Sequence, residues 1–476
     1  MVRLTPPRQR LCQRIPTCNP PSQPAGITRM QKHCYLIVVM LCGIVFSHNA
    51  NAEKETLLQA FAAAYQNNPS LEAERASLRV TDEQVSQALS HWKPSIDATA
   101  NAGKTWQRIS SQGNFSGETH GGGIQLTQPV FRGFRTLAET EFAKKQVLAG
   151  RARLQHAEQQ LFTDIASVFL GLLRDQAIMA AQRENEAVLA RKLTEVRVRF
   201  QMGDLTRTDV KQAEARLARA GASRLQAEQA IVVDRATYQR LVGHLPGHLD
   251  AANIVLELPK TLDEALAKSA HNPDVMTAEY SEQAAQASVG YNEGSLLPEV
   301  NLVASSSRNW GQNITFPGRE DSSQVLLQAT VPLYRSGADY SRIRAAVQTV
   351  SQKKMESTEA RHKAEETTHT RWQAMLTADT MLEANKAQSE AAREAFEGVK
   401  IESHAGTRTT LDVLNAQQEW LDAQIDMAKI IYDQQMAKIQ MKAAIGELSG
   451  DFIPLPTPKY DATQHYDAVK GQWIGF

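Results

Sequence analysis

The chain is written twice. Asn68-Pro69 is followed 25 residues on by Pro94 and Ser-Ile-Asp-Ala, and Asn272-Pro273 is followed 25 residues on by Pro298 and Glu-Val-Asn-Leu. Thr127-Gln-Pro129-Val-Phe-Arg matches Thr330-Val-Pro332-Leu-Tyr-Arg. Gly203 with Asp209-Val210 matches Gly406 with Asp412-Val413, and Gly243 matches Gly446. The offset is 204 in the first matches and 203 in the later ones, so a single indel keeps register over the whole length. A period near 200 is far longer than a solenoid repeat. It predicts two tandem structural halves, 53–250 and 251–450, after an N-terminal segment 1–52 and before a tail 451–476.

Each half reads as the same run of elements. A short helix (Leu57–Gln66; Leu262–His271) stops at Asn-Pro, and a second (Leu71–Trp92; Val275–Leu297) runs to the next proline. Ser95–Trp106 and Glu299–Asn309 then alternate with period two, which predicts strands. Gly/Ser/Asn-rich stretches (Ser110–Gly123; Ser305–Ser323) read as loops, and a second strand in each half is expected to end at Pro129 or Pro332. Thr136–Gln201 has no proline and only two glycines, Gly150 and Gly171. As one helix it would span ~100 Å. Leu161, Ile165, Val168 and Leu172, then Leu189, Leu193, Val196 and Phe200, step by four and three as a coiled-coil seam does. Ala338–His404 is its counterpart. Gly203 and Gly406 break these helices, and Thr206–Gly243 and Thr409–Leu448 return. The short pre-strand helix and the returning helix together match the long one, so an elongated antiparallel helical cylinder is expected, with four strands at one end.

Composition decides where such a chain can reside. Its 52 basic and 52 acidic residues balance, so no basic surplus points to nucleic acid. Residues 1–52 hold six basic residues, no acidic ones and all four cysteines, leaving 46 basic against 52 acidic in the rest. Disulfides and thiolate metal sites are therefore excluded from the remaining chain. Lys32 and His33, the 13-residue apolar run Cys34–Phe46, and Ala50-Asn-Ala52 form a secretory signal pattern, with cleavage expected after Ala52. Met30 offers a second possible start. That apolar run is the longest, too short for a spanning helix, which needs ~18 residues or more.

The strands remain. Ten to twelve alternating residues suit a tilted bilayer crossing, and Trp106 and Trp310 sit at matching strand ends where interfacial aromatics belong. Four strands cannot close a barrel, because single-chain barrels start at about eight, and open edges are not tolerated in lipid. Several chains must share a barrel, or the sheet is soluble. Spacing leaves dimer, trimer and tetramer open.

On these residues the chain resembles the TolC family of outer-membrane efflux and secretion ducts. The duplicated Asn-Pro…Pro strand openings, the turn Gln128-Pro129-Val-Phe-Arg-Gly133 and the tip Ala405-Gly-Thr-Arg-Thr-Thr-Leu-Asp-Val-Leu414 carry the likeness. The resemblance implies an α+β membrane protein: a homotrimer whose 12-stranded outer-membrane barrel, four strands per chain, continues into a ~100 Å periplasmic α-helical coiled-coil barrel. It implies a passive duct without enzymatic activity or cofactor, set in outer-membrane lipid. A periplasmic adaptor and an inner-membrane ABC or proton-driven pump would serve it. By the same resemblance Arg408 pairs with Asp209, beside Thr208, to lock the periplasmic tip. Asp412 and Asn415 occupy a cation-selecting ring, and Gly203, Gly406, Thr409 and Leu411 are adaptor contacts. Pro129 and Pro332 mark the strand-to-helix turns. Two departures from the family pattern, Asn415 for a ring carboxylate and Ser403 for a tip tyrosine, predict a weaker lock and milder cation preference.

Other chemistry is thinly represented. Gly103-Lys-Thr lacks the first glycine of a phosphate loop, since Ala98 stands there. His362 and His369 share a helix without a carboxylate arrangement that would make a metal site, and no nucleophile elbow occurs. Gln472-Trp-Ile-Gly-Phe476 follows Pro454, Pro456 and Pro458 and is expected to pack as a tail on the cylinder. The competing readings are a multidrug or small-molecule efflux duct in place of protein secretion, and an exported coiled-coil adhesin or scaffold without a pore.

Overall fold

The computed structural model describes residues 55–110, 113–250, 257–311 and 318–473. The expected signal segment and its cleavage after Ala52 lie outside the described residues, as do the last three residues of the tail.

Two helices open the described chain, α1 (Leu57–Asn67) and α2 (Pro69–Ser90), and the strands β1 (Ser95–Ile109) and β2 (Gly113–Arg132) follow. The long helix α3 (Arg135–Gln201) leads to the returning α4 (Arg207–Val242). The order then recurs: α5 (Leu262–Ser269), α6 (Pro273–Glu293), β3 (Glu299–Trp310), β4 (Arg319–Thr330), α7 (Ala338–His404) and α8 (Thr410–Ala444). A short helix α9 (Gln464–Val469) lies in the tail. At 67 residues each, α3 and α7 are ~100 Å long.

The Asn-Pro pair explains how short helices stack end to end beside a long one. Asn68 caps α2: its side-chain oxygen accepts from the amides of Ser70 (2.9 Å) and Leu71 (3.3 Å), with Pro69 at the first helical position. Its Nδ2 donates to the carbonyl of Leu241 (2.8 Å) at the end of α4. Asn272 does the same for α6, accepting from Asp274 (2.9 Å) and donating to Ala444 (2.9 Å) at the end of α8. One side chain thus satisfies an orphan donor of one helix and an orphan acceptor of another, aligning α4 with α2 and α8 with α6. Both composites lie against a long helix: α3 packs on α2 and α4, and α7 on α6 and α8.

The main core sits where α1, α2, α3 and the end of α4 meet. Phe61 stacks on Phe162 at 4.7 Å, and Leu161, Ile165 and Leu172 of the expected seam are buried beside Phe169, Tyr238 and Leu241, whereas Val168 of that seam is half-buried. Lower on α3, Leu189, Leu193 and Val196 are buried as the heptads predict, whereas Phe200 at the tip is exposed. The tail follows α2. Ile453 is buried in the same core, the Tyr460 amide donates to the Tyr65 hydroxyl (3.2 Å), and Tyr460 and Tyr65 sandwich the Arg75 guanidinium at 4.8 and 4.5 Å. It reaches the base of β1, where Trp473 lies over the Lys93 ammonium at 5.1 Å.

The four strands form one antiparallel sheet in the order β1-β2-β3-β4, with β1 and β4 as open edges. Its large apolar side chains are exposed, among them Ile96, Trp106, Ile124, Val325 and Leu327. No helix of the described residues is long and apolar enough to cross a membrane.

Three expectations need correction. Ser110–Gly123 is largely strand, because β2 begins at Gly113. The glycines there fill a steric need: a Cβ on Gly121 would lie 2.0 Å from Asn309 Oδ1 and 2.9 Å from the Arg308 carbonyl, so close strand approach selects residues that propensity disfavours. Ser305–Ser323 is also mostly strand, with Arg308 bridging to Asp321 across the ladder (2.8 and 3.2 Å) and the Ser306 and Ser323 hydroxyls 3.0 Å apart. Finally, Pro129 neither ends its strand nor makes the turn, whereas Pro332 does lie in the link between β4 and α7. Pro129 lies inside β2 at a register shift between Pro129 and Phe131, where a missing N–H costs no ladder bond. Pro332 follows the end of β4 at Thr330. The turns themselves use two successive positive φ angles, Gly133 (60°) with Phe134 (61°), and Ser336 (52°) with Gly337 (76°).

Candidate functional site at the hairpin tips

The ends of the helical hairpins lie at the opposite end of α3 and α7 from the sheet, and their local chemistry is the same in both. At the first tip the Gly203 amide donates to the Phe200 carbonyl (3.1 Å) and the Asp204 amide to Arg199 (2.9 Å). At the second, Gly406 donates to Ser403 (3.2 Å) and Thr407 to Glu402 (3.0 Å). This is the paired helix-ending motif that places a left-handed residue just past the helix. Gly203 (φ 87°) and Gly406 (φ 81°) supply it without a Cβ penalty. Three residues later a threonine starts the returning helix.

Thr206 and Asp209 form a reciprocal cap: the Thr206 amide and hydroxyl donate to Asp209 Oδ2 (2.9 and 2.7 Å), and the Asp209 amide donates to Thr206 Oγ1 (3.3 Å). Thr409 and Asp412 repeat it at 2.9, 2.8 and 3.2 Å. Asp209 is therefore the capping carboxylate of α4, and Asp412 that of α8. The hydroxyl and amide of Thr206 hold the Asp209 carboxyl below the usual carboxylate range. At Asp412 the Thr409 amide does so first, then its hydroxyl and the Arg408 charge. Both shifts favour the ionised carboxylate.

The structure separates some residues that the sequence brought together. Arg408 is exposed and donates from Nε to Glu402 Oε2 (2.8 Å) on its own hairpin. Within one chain it does not pair with Asp209, whose described bonds are to Thr206. Thr208 is exposed beside Asp209, and Ser403 is half-buried beneath the second tip. Asn415 does not stand alone: its Oδ1 accepts from Arg216 Nη2 (2.7 Å) on α4, and Arg216 Nη1 donates to the Leu414 carbonyl (3.1 Å). The Thr409 hydroxyl is committed to the cap, so its tip chemistry is local. Leu411 is exposed, and Phe200, Met202 and Ile401 expose three more large apolar side chains around the two tips.

Sequence reasoning missed Glu402, Arg216 and Thr206. The Thr-x-x-Asp spacing shared by 206–209 and 409–412 could have revealed Thr206. No spacing signals the other two, because their partners lie across a turn or on another hairpin.

The comparisons bear on what these tips belong to. The sequence profile described as outer membrane efflux protein matches residues 61–244 and again 262–447. The chain belongs to the outer membrane efflux protein family. The outer membrane efflux protein BepC of Brucella suis is 32% identical over 93% of this chain and 96% of its own length. The alkaline protease secretion protein AprF of Pseudomonas aeruginosa is 22% identical over 82% of this chain and 84% of its own. Among solved structures, the outer membrane channel CmeC of Campylobacter jejuni superposes with a TM-score of 0.76 at 15% identity, over 87% of this chain and 89% of that one. That likeness is one of fold. Membership of this family of outer membrane channel proteins indicates no catalytic family.

Proposed function

We propose that this protein is the outer-membrane duct of a tripartite efflux or type I secretion system, passive in itself. The observation that carries the reading is a four-stranded sheet with two open edges, mounted on ~100 Å helical hairpins in a member of the outer membrane efflux protein family. Open edges in lipid must be paired. Pairing β4 of one copy with β1 of the next closes a barrel, and three copies give 12 strands, which fits a channel lumen. The exposed Ile96, Val325 and Leu327 then face lipid. Two profile matches of similar length, one on each side of residue 250, support the reading as two tandem halves.

In this homotrimer the helical hairpins line a periplasmic conduit whose tips form the gate. Arg408 of one hairpin and Asp209, with Thr208, of another lie at the narrow end. Asp412 contributes one carboxylate per chain to the entrance, and Asn415 contributes none. The Arg216 charge beside Asn415 further reduces the expected cation preference. Gly203, Gly406, Thr409 and Leu411, flanked by the exposed Met202 and Ile401, form the surface on which a periplasmic adaptor docks, and the adaptor connects to an inner-membrane pump. Cargo is selected at that pump. BepC is named for efflux and AprF for protease secretion, and the duct geometry suits either. An exported adhesin without a pore leaves the family and the unpaired sheet edges unexplained.

Single-channel recording of the purified protein in planar bilayers tests this. Small cation-preferring currents are expected, rising in Arg408→Ala. Absence of channels from folded, membrane-inserted protein would sink the duct. Currents unchanged by the substitution would remove Arg408 from the gate.

A further inference from the structure

The apolar face of the sheet changes character toward its hairpin ends. Residues directly opposite one another share a face, so the β3–β4 ladder reads in rows. Val300 with Ala329, Leu302 with Leu327 and Ala304 with Val325 make three apolar rows, and Ser306 with Ser323 a polar one. Arg308 with Asp321, then Trp310 with Arg319, follow at the end away from the helices. The first hairpin agrees: Ile96, Ala98, Ala100 and Ala102 are succeeded on the same face by Lys104 and Trp106.

The charged row has a definite height. Val300 to Arg308 and Ile96 to Lys104 are each eight residues, about 26 Å along a strand and about 20 Å of height at a ~40° tilt. The tryptophans stand two residues further, at about 25 Å, the height of a lipid-facing band flanked by aromatics. A charge on a lipid-facing strand is tolerated near the interface and costly below it, so this row belongs at the headgroups. Its charges do not cancel. The Asp321 carboxylate is shared by two guanidiniums, Arg308 Nε and Nη2 at 2.8 and 3.2 Å and Arg319 Nη2 at 3.2 Å, which leaves one positive charge over. All three side chains are exposed. Lys104 faces Glu118 across the ladder and holds its ammonium 5.8 Å from the Trp106 ring. Beside Arg308 the face is notched, because its partner on β2 is Gly122, where a Cβ would meet only the Thr99 carbonyl within 4 Å, at 3.2 Å. His120 and Trp310, stacked at 5.1 Å, rim the notch above.

We infer that Arg308 and Arg319, with the Gly122 notch and Trp310, bind phosphate-bearing headgroups of lipid in the outer leaflet. The site rests on the outer-membrane duct reading, which turns this end of the sheet away from the periplasm. A planar guanidinium offers parallel donors to a phosphate, and tryptophan rings beside it sit at headgroup level. Asp321 holds the two guanidiniums in place and also opposes an incoming anion. A second copy joined through β1 and β4 pairs along the strand edges and leaves this face uncovered.

The probe is lipid A bearing two phosphates, titrated onto the purified protein in neutral detergent beside the same lipid after dephosphorylation, with native mass spectrometry counting bound lipid. Wild type should prefer the phosphorylated form about fivefold, the share of one surplus basic charge at an anionic lipid surface. Arg308→Gln with Arg319→Gln and Asp321→Asn removes both guanidiniums without orphaning the carboxylate and should abolish the preference. Asp321→Asn alone should tighten lipid A binding about fivefold, a gain that misfolding cannot imitate. Equal binding of the two lipid forms by the wild type overturns the site, as does a triple variant that keeps the preference or an Asp321→Asn variant that binds no tighter. Currents in planar bilayers report the duct separately: channels with no phosphate preference remove the site and keep the duct, and a preference with no channels does the reverse.

Discussion

Gly133 and Gly294 touch through their backbones. A Cβ on either would lie 2.3 Å from the carbonyl oxygen of the other, and Gly133 also holds a φ of 60°. The contact joins the β2-to-α3 turn of the first half to the short 3₁₀ turn (Gly294–Leu296) that precedes β3 in the second. It is the point where strands give way to helices. Gly133→Ala combines left-handed strain with overpacking and should cost about 2–4 kcal/mol. Gly103→Ala, in β1 where a Cβ would make only an ordinary contact with Thr119 Oγ1 (3.8 Å), should cost far less. Thermal denaturation in detergent checks both; equal losses would mean that the contact carries no particular weight.

The tail should act as a clasp. Arg75 is 5% exposed, sandwiched between Tyr65 and Tyr460, and bonded to Glu72 (2.6 Å). Nearby, the buried Glu158 accepts from the Gly450 amide at 3.1 Å. Arg75→Ala removes two cation–π contacts and leaves Glu158 without its counter-charge, a loss of about 3 kcal/mol. Tyr460→Ala should cost about 1 kcal/mol and free the tail. The readout is limited proteolysis, with new cleavage after Ser449 in both variants and none in wild type.

Stability should respond to Asp82. This carboxyl is 1% exposed and neither oxygen has a hydrogen-bond partner. Burial pushes its pKa up, while the charges of Arg151 and His465 pull it back and Glu83 adds to the rise. A carboxyl raised above its unfolded value of about 3.9 holds its proton more tightly in the fold. The stability that it contributes is complete below about pH 4 and is lost as pH rises through the folded pKa. Asp82→Asn cannot lose a proton, so its advantage over wild type should grow between pH 4 and pH 8. Chemical denaturation at the two pH values measures the difference; a constant gap would show that Asp82 stays ionised at ease through Arg151.

At the tips, capping and charge can be separated. Thr206→Ala and Thr409→Ala each remove a cap and should cost about 1 kcal/mol locally. Hydrogen exchange at the Asp209 or Asp412 amide should quicken roughly fivefold in the corresponding variant, with total charge unchanged. Asp412→Asn keeps much of the cap but removes the carboxylate. On the proposed ring it lowers the cation-to-anion permeability ratio, which reversal potentials in a salt gradient report. A ratio unaltered by Asp412→Asn places the carboxylate outside the conduction path.

Much of this architecture was legible because it is encoded locally. Asn-Pro caps, tip glycines in a left-handed conformation and Thr-x-x-Asp boxes are settled by a few neighbouring residues, so the repeat, the 67-residue helices and their break points follow from sequence. The strands were legible only where side chains alternate. Gly113–Gly123 reads as loop because glycine has no side chain to alternate; its strand is imposed by β1 along its whole length and by β3 from His120 on, where Gly122 lies between Ala100 and Arg308. Sequence by itself determined the helical hairpins, the number of strands and the position of the tips. Only the tertiary structure decided that Asn68 and Asn272 weld helices end to end, that Arg408 turns to Glu402, and that Arg216 crosses to Asn415. Those choices depend on which atoms of segments as much as 199 residues apart come within 3 Å, and no periodicity along a chain encodes such a distance.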